Sequence, residues 1–116
     1  MRMIPTVGSR RLALAAALAV LSARSASGGA AEGKALYDQK CQSCHSIAGQ
    51  GGKMAHIGGP LDGVGAKRDG KWLRQYLADP KATLPNAKMP KMKLDDQQLD
   101  DLVAYLLTLK DAAPAK

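Results

Sequence analysis

Five consecutive residues, Cys41-Gln42-Ser43-Cys44-His45, carry the side chains of this sequence that are best suited to hold a cofactor. On a helical turn, positions 41, 44 and 45 are related as i, i+3 and i+4 and share one face. Two thiols and one imidazole therefore point into the same space. A C-x-x-C-H run is typical of covalent haem attachment. The sequence predicts one haem, with Cys41 and Cys44 as covalent links and His45 as an axial iron ligand.

Other uses of a paired-cysteine motif fit less well. A thioredoxin-like redox pair needs a βαβ context, which the downstream sequence does not offer. A zinc site needs four ligands, whereas Cys41 and Cys44 are the only cysteines and His56 is the only other histidine. A disulfide across two residues would close a small loop with little entropic benefit. A thiol–disulfide protein without haem is the alternative that a colourless protein would indicate.

The first 27 residues have the organisation of a secretory signal peptide. A basic start precedes a ten-residue apolar run over 12–21, and small residues follow over 22–31. The run is about half of the roughly 20 residues that a membrane span needs, so an uncleaved anchor is the less favoured interpretation. We expect cleavage between residues 27 and 31, export to the periplasm, no stable membrane span in the mature chain, and one mature domain over 28–116.

Removal of this segment changes the charge balance. Residues 1–27 hold four of the 17 Lys and Arg and none of the ten Asp and Glu, so the net charge falls from +7 to +3. Nucleic-acid-binding domains combine a concentrated basic patch with stacking aromatics, and this chain offers neither. The remaining 89 residues include no Phe, one Trp and three Tyr. Such a small, aromatic-poor domain has a modest core, to which a bound macrocycle would add bulk.

Three helices are predicted in the mature chain, over 30–40, 69–79 and 94–109. The second starts at an Asp that can cap it and stops before a Pro. In the third, Asp95 and Gln98 have the spacing of a capping box. Its apolar stripe recurs with the helical period of 3.6 and consists of Leu99, Leu102, Val103, Leu106 and Leu109.

Loops are predicted between these helices, and no strand pattern is evident. The segment 46–70 holds eight of the chain's twelve Gly, which let the backbone pass close to a flat cofactor. A second loop is expected over 81–93. Met54 and His56 lie in the first loop. Each could bind iron, but we expect both to be surface residues.

The order of these features resembles that of the small class I c-type cytochromes over residues 31–110. The C-x-x-C-H run is the most specific match, and Met89-Pro90 looks like the family's distal-ligand motif. The resemblance implies an all-α, cytochrome c-like fold, with three main helices and loops around one covalent haem c. It also implies that His45 and Met89 bind the iron from opposite sides. Gly59-Pro60-Leu61 looks like the family's segment behind the proximal His, and this resemblance implies that the second ring nitrogen of His45 donates to the carbonyl of Pro60.

Gly33, Tyr37 and Tyr105 resemble the contact between the first and last helices in that family. A Gly inside a helix costs roughly 1 kcal/mol relative to Ala. Close approach of another helix would explain Gly33, and so would fraying near the helix start.

Two methionines compete for the distal position. Met89 precedes Pro90, so its backbone is held extended and its thioether can lie over the iron. Met92 adjoins the cap of the last helix, where we expect it to pack against that helix or the haem edge. Met89 is therefore the predicted ligand.

With His and Met ligands, the iron has no open position, and a thioether ligand raises the reduction potential. The predicted function is a one-electron carrier between redox proteins rather than an enzyme. The alternatives are a haem subunit of a periplasmic dehydrogenase or oxidase, and an open-iron haem enzyme or sensor.

Charged residues cluster in the second half of the chain. We expect both clusters to be mainly solvated surface, with the lysines also able to steer an acidic redox partner. The basic cluster is Lys81, Lys88, Lys91 and Lys93, and the acidic cluster is Asp95, Asp96, Asp100 and Asp101.

Overall fold

The computed structural model describes Met3 and residues 29–114. The predicted signal peptide over 1–27 therefore lies outside the described residues, except for Met3. The residues that the structure describes form six helices and one short hairpin, so the all-α prediction is confirmed. The helices are α1 Ala30–Lys40, α2 Ala55–Gly58, α3 Val64–Lys67, α4 Gly70–Ala78, α5 Pro80–Thr83 and α6 Asp96–Leu107, and the hairpin strands are β1 Ser46–Ile47 and β2 Gln50–Gly51.

The three main helices lie where the sequence predicts them, and side-chain caps mark the starts of α4 and α6. The bounds of α1 agree with the prediction. Helix α4 begins after Asp69, whose carboxylate accepts a hydrogen bond from the Trp72 N–H at 2.8 Å. At the start of α6, Asp95 accepts from the Gln98 N–H at 2.8 Å and Gln98 accepts from the Asp95 N–H at 3.1 Å. This reciprocal capping box is the predicted one, although α6 is shorter at each end than the predicted 94–109.

Helices α1 and α6 form the most extensive helix pair of the described residues, and they cross at Gly33. A Cβ atom on Gly33 would lie 1.9 Å from the Asp101 carbonyl oxygen and 2.7 Å from the Tyr105 Cβ. Close approach therefore explains this glycine. One turn further along, the rings of Tyr37 and Tyr105 pack with centroids 5.7 Å apart.

Tyr37 is the most buried aromatic side chain at this crossing, with 3% of its surface exposed. Burial raises the pKa of its phenol to about 12, because the phenolate would lose its hydration. Within residues 29–114, its hydroxyl has no hydrogen-bond partner. Tyr37 therefore contributes apolar packing as a neutral side chain.

Asp101 does not belong to the solvated acidic surface that the sequence predicts. Its exposed fraction is 6%, and Gln97 Nε2 donates to its Oδ1 at 2.9 Å. The reason is the helix crossing: the Asp101 carbonyl faces Gly33, so this position of α6 is turned toward α1. Tyr105, one turn later on the same face, was the signal that could have indicated it.

The other acidic residues of α6 tie it to α4. Arg74 donates from Nε to Asp100 at 3.0 Å and from Nη2 to Asp96 at 3.1 Å. Both hydrogen bonds raise the pKa of the Arg74 guanidinium, and the bond to Asp100 has the larger effect. Beneath the ion pairs lies an apolar core of Leu73, Leu77, Leu99, Leu102 and Leu106.

The predicted loops contain more regular structure than expected. Within 46–70, β1 and β2 are joined by a two-residue turn, Ala48-Gly49, in which both residues have positive φ, 50° and 77°. Two-residue turns of this kind normally contain Asn-Gly or Asp-Gly. Ala48-Gly49 lacks that signal, so the turn is not predicted from the sequence. Helices α2 and α3 follow in the same segment.

The predicted loop over 81–93 also begins with a helical turn, α5. Asp79 caps it by accepting from the Ala82 N–H at 3.4 Å, and Pro80 occupies its first position. Asp79-Pro80 thus ends α4, as predicted, and also starts the next turn. None of the helices in residues 29–114 is long and apolar enough to span a bilayer.

Candidate functional site

The C-x-x-C-H residues form a turn that continues α1. The Cys44 N–H and the His45 N–H both donate to the Cys41 carbonyl, at 3.1 and 3.0 Å. This turn keeps the two sulfur atoms and the imidazole close together. Cys41 and Cys44 are not paired as a disulfide in the structure. The all-α surroundings differ from the βαβ context of a thioredoxin-like pair.

A cavity of about 270 Å³ opens beside this turn, and Cys41, His45 and Met89 lie in its wall. A second cavity of about 230 Å³ includes Cys44 in its lining and shares His45 and Met89 with the first. The structure therefore brings together all four predicted site residues. Most of the larger wall is apolar and consists of Leu61, Val64, Trp72, Leu73, Tyr76, Leu77, Leu84, Leu102 and Leu106.

The two thiols have different environments. Cys41 is buried in the core, and this burial raises the pKa of its thiol to about 11. Before a haem is attached, the thiol is therefore neutral at physiological pH. Cys44 is exposed at the outer side of the turn. One anchor thus lies at the inner end of the site and the other at its outer edge.

The imidazole of His45 is fixed by a backbone carbonyl, but that carbonyl belongs to Gly59 rather than to Pro60 as expected. His45 Nδ1 lies 3.1 Å from the Gly59 oxygen. The cause is a parallel bridge, in which the Ser46 N–H donates to Gly59 O at 3.3 Å and the Leu61 N–H donates to Ser46 O at 2.9 Å. This pairing turns the Gly59 carbonyl toward the C-x-x-C-H turn. Nδ1 is then the donor, and Nε2 is the nitrogen left for a metal.

Backbone also covers the ring of His45 directly. A Cβ on Gly58 would lie 2.6 Å from His45 Cε1 and 2.7 Å from Nδ1. The Gly58 N–H donates to the Cys44 carbonyl at 2.7 Å. A side chain at position 58 would displace the ring, so glycine is required there for close approach.

The competing iron ligands lie in different places. Met89 is partly buried in the wall of the site. Met92 lines a separate cavity with Leu94 and Leu99, as expected for a residue that packs against the last helix. Met54, with 47% of its surface exposed, and His56 are on the surface.

One wall of the larger cavity contains a stack that sequence reasoning missed. The Arg68 guanidinium lies 4.0 Å from the centroid of the Trp72 ring. Trp72 in turn stacks on Tyr76, with centroids 5.0 Å apart and planes 7° from parallel. The spacing of Arg68 four residues before Trp72 was the available signal. The stack gives the site a flat aromatic wall.

The donor set and the walls fit a haem. Two thiols at i, i+3, an imidazole with one nitrogen already engaged, and a thioether all face apolar cavities. Soft sulfur and imidazole are the usual protein ligands of a low-spin haem iron.

A family model described as cytochrome c matches residues 30–110 of the chain. No curated protein gives a significant match to the sequence.

Proposed function

Since this chain belongs to the cytochrome c family, as a class I c-type cytochrome with one covalent haem c, we propose that it is a periplasmic one-electron carrier between redox proteins. Members of the family are generally electron carriers rather than enzymes. The observation that carries the proposal is the convergence of Cys41, His45 and Met89 on one cavity, because a carrier needs an iron whose two axial positions are both filled.

Each of the four residues has a role in this proposal. Cys41 and Cys44 would hold the haem through thioether bonds, and His45 Nε2 and the Met89 sulfur would bind its iron. The bound haem supplies a reversible Fe(III)/Fe(II) couple. The Gly59 carbonyl orients His45 by accepting from Nδ1, which also raises the basicity of the imidazole. The leucines of the wall exclude water, which lowers the local dielectric around the iron.

The covalent link is tested by mass and colour. We expect the purified mature protein to exceed its polypeptide mass by one haem, and to cycle between two spectra when one electron is added or removed. The double replacement of Cys41 and Cys44 by Ser should abolish the covalent haem, since no other cysteine is available. Ser43→Ala is the matched control in the same turn and should keep it. A wild-type mass equal to the polypeptide alone would refute the proposal.

We further propose that the partner is acidic where it docks. Lys81, Lys88 and Lys91 line one concavity together with Met89 and Pro90, where the three cations outnumber the single anion, Asp79. In the part of the chain that the structure describes, none of these lysines forms an ion pair. Unpaired cations beside an exposed redox site attract anions and speed association.

The effect of these lysines on association can be measured with small inorganic oxidants of opposite charge. Oxidation of the reduced protein by ferricyanide, an anion, should slow roughly tenfold as salt is raised from about 10 to 200 mM. Oxidation by tris(1,10-phenanthroline)cobalt(III), a cation, should not slow. Joint replacement of Lys88 and Lys91 by Gln should flatten the ferricyanide dependence, whereas Lys34→Gln on α1 should change it less. A ferricyanide rate that is independent of salt would contradict the docking proposal.

A further inference from the structure

We propose that Asp62 is a positioning residue, whose carboxylate fastens the loop that presents the Gly59 carbonyl to the ring of His45. This inference rests on the proposed function, because it concerns the hydrogen bond of the axial ligand. It gives Asp62 a role in setting the properties of the iron without contact with it.

The first observation is an unfavourable backbone at Ala48. This residue has φ of 50°, in the left-handed region that a residue with a Cβ rarely adopts. It occupies the first position of the turn between β1 and β2. A strained residue persists only where its surroundings hold it. Here the Ala48 N–H donates to Asp62 Oδ2 at 2.8 Å.

The second observation is that this hydrogen bond continues the bridge that orients His45. Ser46 pairs with the segment 59–61 through two backbone hydrogen bonds. Two residues further along, Ala48 pairs with Asp62. The two segments are thus joined at two successive points. The first point contains the Gly59 carbonyl that accepts from His45 Nδ1.

The two carboxylate oxygens of Asp62 have different environments, and only Oδ2 has a hydrogen-bond partner among the described residues. Oδ1 of Asp62 is buried and, among the described residues, has no hydrogen-bond partner. A buried unpartnered oxygen is unfavourable. Among the described residues, the hydrogen bond that the structure gives this side chain is the one from the Ala48 N–H to Oδ2.

Removal of the fastening should loosen the Gly59 carbonyl and weaken its bond to His45. A weaker bond makes the imidazole less basic, which destabilises Fe(III) relative to Fe(II) and raises the reduction potential. The loss of the negative charge of Asp62 would also raise the reduction potential. The variants must therefore separate the effect of the charge from that of the hydrogen bond.

The experiment compares Asp62→Ala with Asp62→Asn in the holoprotein. Asn is neutral but keeps a side-chain oxygen that can accept from Ala48. The primary measurement is the exchange rate of the His45 ring N–H proton in the reduced state by NMR. The reduction potential is measured alongside it. A third variant adds Ala48→Gly to Asp62→Ala, because Gly adopts positive φ at no steric cost.

We expect the ring proton to exchange roughly fivefold faster or more in Asp62→Ala, and close to the wild-type rate in Asp62→Asn. The potential of Asp62→Ala should exceed that of Asp62→Asn. Ala48→Gly should recover part of the loss. Unchanged exchange in Asp62→Ala, or equal changes in both variants, would overturn the inference. A wild-type spectrum without haem-shifted His45 ring signals would instead overturn the proposed function, and the inference with it.

Discussion

Replacement of Met89 by Ala is expected to leave the haem attached but to open one side of its iron to small ligands. Met89 lines the cavity that also contains His45 and Cys41, and the following Pro90 holds its backbone out of the helical region. Without the thioether, cyanide should bind the oxidised protein at least ~10-fold more tightly, since the wild-type iron is available only in the fraction where sulfur has dissociated. The reduction potential should fall by on the order of 0.1 V, because the thioether favours Fe(II).

Met92→Ala is the matched control for this prediction. It removes an equal side chain from a cavity lined by Leu94 and Leu99 rather than from the site. We expect it to lower the free energy of unfolding through lost packing and to leave cyanide affinity and potential unchanged. The measurements are ligand titration by absorbance and potentiometry. If Met92→Ala opened the iron and Met89→Ala did not, the assignment of the distal ligand would be reversed.

Gly33→Ala is expected to lower the free energy of unfolding of the holoprotein by about 2–3 kcal/mol. The added methyl would lie 1.9 Å from the Asp101 carbonyl oxygen. That atom is backbone inside α6 and cannot rotate away, so the two helices must separate. Such a separation would also weaken the packing of the Tyr37 and Tyr105 rings. The gain in helix propensity from Gly to Ala, roughly 1 kcal/mol, is too small to compensate.

Gly70→Ala provides the comparison at a second helical glycine. A Cβ there would meet Leu107 Cδ1 at 3.4 Å and Val103 Cγ1 at 3.5 Å, which is ordinary contact. We expect this variant to be as stable as the wild type or more stable by up to about 1 kcal/mol. Guanidinium chloride titration of both variants and of the wild type measures the three free energies of unfolding. Equal free energies of unfolding for the two variants would show that the close approach of α1 and α6 does not require a glycine at position 33.

The parts of the fold that the sequence predicts well depend on local signals. Asp69 and Asp95 cap their helices through hydrogen bonds to residues three positions on, and such caps can be recognised from spacing alone. The C-x-x-C-H turn also has a local basis, because the N–H groups of Cys44 and His45 both donate to the Cys41 carbonyl.

The parts that sequence reasoning missed depend on distant residues. Gly59, rather than Pro60, accepts from His45 because of a bridge to Ser46, which no local pattern encodes. Ala48 adopts positive φ next to an acceptor on Asp62, far along the chain. The burial of Asp101 follows from the approach of another helix. In each case a tertiary contact determines the local conformation.

The pairing of α1 with α6 has a consequence for the order in which the molecule is made. These are the first and last helices described, so the main interface of the core joins two segments separated by almost the whole domain. Closing so long a loop costs chain entropy, and the packing of α1 against α6 offsets that cost only when both helices are present. During synthesis from the N-terminus, the Gly33 face of α1 has no partner until α6 has emerged from the ribosome. The α1–α6 interface therefore forms late, and until then it does not help to enclose Cys41.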